Sequence, residues 1–119
     1  MRYKIEFAPE SLRDLELIFD HLVDSYMAFG DTADEAIDRA AHRINAIRKA
    51  TARLAIFPVR GAARDDILPG MRSLAIDRAT YWFEIDETAK KIAVLAVFFG
   101  GQDDIRRMLV RLLRMDKQP

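Results

Sequence analysis

Residues 71–99 read MRSLAIDRATYWFEIDETAKKIAVLAVFF, and this stretch decides the fold. Met71–Asp77 is a predicted strand and Ala79–Asp86 a second, with Arg78 between them as a nominal turn. Asp86-Glu87-Thr88-Ala89-Lys90 makes a hairpin connection to a third strand, Lys91–Phe99. In the second strand Tyr81, Phe83 and Ile85 point one way, and Thr80, Trp82, Glu84 and Asp86 the other. In the third strand both parities are apolar. Ile92, Val94, Ala96 and Phe98 lie on one face, and Ala93, Leu95, Val97 and Phe99 on the other. A strand apolar on both faces is central and covered on both sides.

Upstream, Tyr3, Ile5 and Phe7 alternate with Arg2, Lys4 and Glu6, the period of a half-buried strand, which Pro9 ends. Leu12, Leu15, Phe19, Leu22, Tyr26 and Phe29 then recur at helical spacing, and Gly30 stops the helix. Thr32 with Glu35 forms a capping box for a second helix. Its stripe is Ile37, Ala40, Ile44, Ile47, Thr51 and Leu54, with Pro58 following its end. Two long helices with a short connection form an antiparallel hairpin. The polar segment 58–69 reads as a loop, and after Gly100-Gly101 a last helix begins at Asp103. The order β-α-α-β-β-β-α predicts one α+β domain over residues 1–119, a mostly antiparallel sheet with the helical hairpin on one face. Two readings of the other face stay open. The last helix, through Ile105, Met108, Leu109 and Leu112, completes the core there, or that face, with Trp82 on it, is a partner groove.

Half of the 119 residues are apolar, which excludes intrinsic disorder, and the absence of cysteine excludes a disulfide scaffold or thiolate zinc site and fits a reducing cytoplasm. No signal-like segment is visible, and the longest apolar run, Ile92–Phe99, is about half the length a membrane helix requires. A cytoplasmic protein without membrane contact is expected. The formal charge is zero, yet 19 basic and 19 acidic side chains are unevenly placed. Residues 1–38 hold three basic side chains against ten acidic ones, so the remainder of the chain is strongly basic. Fourteen of the basic residues are arginine, including Arg60, Arg64, Arg72 and Arg78 on or beside the sheet and Arg106, Arg107, Arg111 and Arg114 on the last helix. The planar guanidinium fork suits carboxylates and phosphates. The last helix lacks interleaved aromatics for base stacking, which argues against direct nucleic-acid binding.

Other chemistry finds little support. His21 and His42 belong to no HxxxH or HExxH pair, so no metal site is expected. No GxSxG elbow, nucleophilic cysteine or phosphate loop occurs, and no cofactor is implied.

Asp66-Ile67-Leu68-Pro69-Gly70-Met71-Arg72-Ser73-Leu74 and Asp77-Arg78-Ala79-Thr80-Tyr81-Trp82-Phe83 carry a resemblance, together with Phe57-Pro58-Val59-Arg60-Gly61 and Val97-Phe98-Phe99-Gly100-Gly101-Gln102-Asp103. Over nearly the whole chain they resemble the RelE/ParE family of toxins from type II toxin–antitoxin modules. The resemblance implies a compact toxin neutralised by a ParD-like antitoxin whose C-terminal segment wraps it. In the RelE branch it implies a ribosome-dependent mRNA endoribonuclease, and in the ParE branch a binding protein that poisons DNA gyrase. Arg78 matches the sheet arginine of the nuclease branch. Where that branch would place a His or Tyr, this chain has Phe98-Phe99-Gly100, and a phenyl ring carries no titratable proton. No lysine occurs between Lys49 and Lys90 either. Both departures favour the ParE side, with no catalytic residue assigned. For antitoxin or target contact the expected residues are Arg60, Arg72, Arg78, Trp82, Phe99, Arg106, Arg107 and Arg111.

Overall fold

The computed structural model describes residues 3–56, 61–100 and 104–116. Along the chain run β1 (Lys4–Phe7), α1 (Pro9–Ala28), α2 (Ala33–Ala50), α3 (Ala52–Ile56), β2 (Ala62–Ala63), β3 (Met71–Ile76), β4 (Ala79–Asp86), β5 (Lys91–Phe99) and α4 (Asp104–Asp116). Pro9 opens α1, where its missing N–H costs no helical bond. α2 opens on the capping box: the Glu35 N–H donates to Thr32 Oγ1 at 3.2 Å and the Thr32 N–H to Glu35 Oε1 at 2.8 Å. The second helix ends sooner than its apolar stripe suggests. The Thr51 hydroxyl donates to the Arg48 carbonyl at 2.7 Å, occupying an acceptor of the last turn, and the chain restarts as α3.

The five strands lie in the order β1-β5-β4-β3-β2, with β1 parallel to β5 and the other pairs antiparallel. β2 falls in the segment expected to be loop. Its two alanines pair with Ser73 and Arg72 but are too short a run to alternate. Beside them Gly61 is buried so tightly that a Cβ would lie 2.9 Å from the Phe83 ring and from the Ser73 carbonyl.

The sheet has a core on each face. On the hairpin side Leu15, Ile18, Leu22, Ala40, Ile47 and Leu54 pack on Tyr81, Phe83, Ile92 and Val94. On the other side α4 sets Met108 against Met71, Trp82, Ala96 and Phe98, with Leu112, Ile67 and Leu68 around them. The last helix therefore completes the second core, and Trp82 is fully buried beneath it.

One strand reading is corrected. β4 pairs Trp82 with Ala96 but Phe83 with Val94, so Leu95 is the extra residue of a bulge. The bulge switches the parity of β5. Ile92, Val94, Val97 and Phe99 face the hairpin, whereas Leu95, Ala96 and Phe98 face α4. The stripe of α1 is shifted as well: Ser11, Asp14, Leu15, Ile18 and Leu22 are buried, while Leu12 and Phe29 are exposed. Among the described residues no helix is long and apolar enough to cross a membrane.

Candidate functional site

β1 ends at Phe7, opposite Val94, and among the described residues no strand neighbours the second half of β5 on that edge. Side chains cap the edge instead. The Val97 N–H donates to Asp14 Oδ2 at 3.0 Å, and Arg111 Nη1 donates to the Leu95 carbonyl at 3.3 Å. Arg111 closes a two-pronged ion pair on Asp14, with Nη1 to Oδ2 at 2.7 Å and Nη2 to Oδ1 at 2.5 Å. Both side chains are largely buried, and the hydrogen bond to Asp14 holds the Arg111 guanidinium above its ordinary pKa. One carboxylate thus joins α1, β5 and α4. Charges on an open edge also discourage pairing with a stray strand.

This edge is the floor of a groove between α1 and α4. At one end a hollow of about 570 Å³ is lined by Leu17, Phe98 and Val110 together with Arg106, Arg107, Arg111 and Arg114. The groove continues past Ile18 and His21 to Phe99. It then reaches the hollow between Tyr26, Phe29, Arg43 and Arg78, at the tip of the β3–β4 hairpin. Among the described residues the lining contains six arginines, and its one carboxylate, Asp14, is already engaged. Several guanidinium groups rest on rings: Arg107 and Arg111 lie 4.7 and 5.3 Å from the Phe98 centroid, and Arg43 and Arg78 lie 5.4 and 5.8 Å from that of Phe99. Leu17 is 52% exposed and Val110 41%. The groove combines fixed positive charge with accessible apolar surface, which suits an acidic, partly apolar segment.

Comparison with solved structures places this architecture. A chain of the chromosomal ParDE TA system from P. aeruginosa superposes with a TM-score of 0.63 at 20% identity, covering 82% of this chain and 96% of the other. A chain of the toxin–antitoxin complex RelBE2 from Mycobacterium tuberculosis gives 0.56 at 17% identity, covering 83% and 99%. This is the RelE/ParE toxin fold. No protein-family model and no curated protein matches the sequence.

Within the RelE/ParE fold, the groove brings together five of the eight residues expected from sequence: Arg78, Phe99, Arg106, Arg107 and Arg111. Arg72 is not among them; its Nη2 donates to the Gly61 carbonyl at 2.6 Å beneath β2. Nor is Trp82, which offers no surface while α4 covers it. Its indole N–H has no hydrogen-bond partner among the described residues, and Arg64 lies over its ring at 5.4 Å. Arg60 lies outside the described residues. The bulge accounts for the separation of Trp82 from Phe99, since it turns Phe99 to the hairpin face.

Sequence reading missed Asp14, Leu17, His21 and Arg43. Asp14 is one of many acidic residues in the first two helices and carries no signal of its own in the sequence, yet it sits one residue before Leu15 and four before Ile18, on the buried side of α1. Among the described residues no cluster of three or more His, Asp or Glu side chains could hold a metal ion.

Proposed function

We propose that the chain is a ParE-like toxin of a type II toxin–antitoxin module. It acts by binding DNA gyrase or a related type II topoisomerase, and a ParD-like antitoxin neutralises it. The observation that carries this reading is the end of β5. Where the nuclease branch would supply a proton donor or acceptor, Phe98 and Phe99 lie under guanidinium groups, a surface made for contact rather than proton transfer. The likeness to chains from the ParDE and RelBE2 systems supports both the toxin role and the antitoxin partner. The arginine-lined groove supports the antitoxin's place, with its acidic residues against Arg106, Arg107 and Arg78 and its apolar ones on Leu17 and Val110.

The RelE-like endoribonuclease is the second reading, and one observation favours it: His21 lines the groove between Arg107 and Phe99 and could move a proton beside arginines. Arg72 and Arg78, which that reading would use to stabilise phosphoryl-transfer charge, are not brought together. The two are six residues apart, with Arg72 near the far end of β3, roughly 15 Å from the hairpin tip.

Induced expression separates these readings. Growth arrest with intact transcripts, unchanged in His21→Ala and relieved by co-expression of a neighbouring antitoxin-like reading frame, is the expected result. Transcripts cut in a translating extract, with cutting lost in His21→Ala, would establish the ribonuclease instead. Unimpaired growth would remove the toxin role altogether.

A further inference from the structure

The β3–β4 connection is two residues long, and both have positive φ: Asp77 at +49° and Arg78 at +74°. Two-residue hairpins of this kind favour Asn-Gly or Asp-Gly, because a Cβ is crowded in the left-handed region. Arginine at the second position keeps that strain, and strain of this sort is retained where the side chain is needed. Here it brings the Arg78 guanidinium 5.8 Å from the Phe99 centroid, on a ring that Arg43 shares at 5.4 Å. The turn is fastened on both sides. Arg43 Nη2 donates to the Asp77 carbonyl at 2.7 Å, and the Gly100 N–H donates to the Arg78 carbonyl at 2.9 Å.

Both guanidinium groups are thus held near the Phe99 ring. Among the described residues neither Arg43 nor Arg78 forms an ion pair, whereas their neighbour Arg39 is neutralised by Asp31 at 2.8 Å. Among the described residues no carboxylate lines the hollow that they border, and it is flanked by Phe29, which is 90% exposed.

We infer that this hollow is a carboxylate pocket, which receives a Glu or Asp side chain of an acidic partner segment between Arg43 and Arg78 and seats the adjoining apolar side chain on Phe29. The inference rests on the proposed antitoxin groove and names the anchoring point at its hairpin end. Charge complementarity selects an acidic occupant, and the exposed phenyl ring selects a peptide that carries apolar residues. RNA phosphate would satisfy the same forks, so a single-stranded RNA is set against the acidic peptide in the test.

The test titrates the full chain and its Arg78→Gly and Arg107→Gln variants with an alternating Leu–Glu peptide, its Leu–Gln counterpart and a single-stranded RNA, and records the Tm of each variant. Arg78→Gly is expected to raise the Tm, because glycine relieves the turn. It should also weaken Leu–Glu binding about tenfold, the loss of one charge-assisted contact. Leu–Gln should bind weakly to all three proteins. A peptide whose affinity falls only in Arg107→Gln overturns the pocket while leaving the groove intact. Absence of Leu–Glu binding to any form overturns the groove and the pocket together. RNA binding that depends on Arg78, without peptide binding, overturns the peptide assignment in favour of phosphate.

Discussion

Asp14 divides its oxygens between Arg111 and the Val97 N–H, so removing its carboxylate strands a buried guanidinium and an edge amide together. Breaking one side of a buried ion pair costs about 3–5 kcal/mol. Asp14→Ala should therefore lower the unfolding free energy by about that amount in urea denaturation. Asp14→Ala combined with Arg111→Met should recover part of the loss, since no uncompensated charge then remains. Tyr81 offers a residue-scale test in pH. Its hydroxyl donates to the Ile47 carbonyl at 2.8 Å, and burial pushes its pKa up to about 12, with the Asp77 charge adding to the shift. Folding thus favours the protonated phenol. That contribution is whole below the ordinary value near 10 and is lost as pH rises through about 12. Tyr81→Phe should lose less stability than the parent chain between about pH 9 and about pH 11, measured by thermal melts at each pH.

At the scale of elements, α4 is held by a narrow contact. Met108 is fully buried and Leu112 partly so, while Ile105, Leu109, Val110 and Leu113 stay at least 41% exposed. Beneath it lies Trp82, the chain's single tryptophan, so its fluorescence reports the docking of α4 directly. Met108→Asp should shift Trp82 emission to the red and speed amide exchange along α4 and at Val97, whereas Leu113→Asp should leave both unchanged. The strands and hairpin were legible in the sequence because Tyr81, Phe83 and Ile85 alternate with polar neighbours and because Thr32 and Glu35 mark the start of a helix. The bulge at Leu95 was not, since a strand apolar on both faces looks the same before and after a one-residue slip. For the same reason Phe99 was grouped with Leu95, although the two face opposite ways. β2 was invisible because Ala62 and Ala63 carry no period. Asp14 escaped because a buried carboxylate is recognised by its partner, and Arg111 lies 97 residues away.

For the whole molecule, the polarised charge seen in the sequence acquires a shape. The groove gathers arginines from α2, the β3–β4 hairpin and α4 along one open strand edge, an arrangement that no local pattern displays. Arg106, Arg107 and Arg111 could be singled out because they share one helix. Arg43 could not, because it meets Phe99 only through the packing of the hairpin on the sheet. The fold is shared with chains from the ParDE and RelBE2 systems. The central claim is that this chain stops a topoisomerase by binding, and the supercoiling of relaxed plasmid by DNA gyrase in the presence of the purified protein tests it most directly. The account predicts that supercoiling stops and cleaved DNA accumulates as protein is added, in the parent chain and in His21→Ala alike. Supercoiling at its full rate, at protein concentrations that cut mRNA in a translating extract, would contradict it.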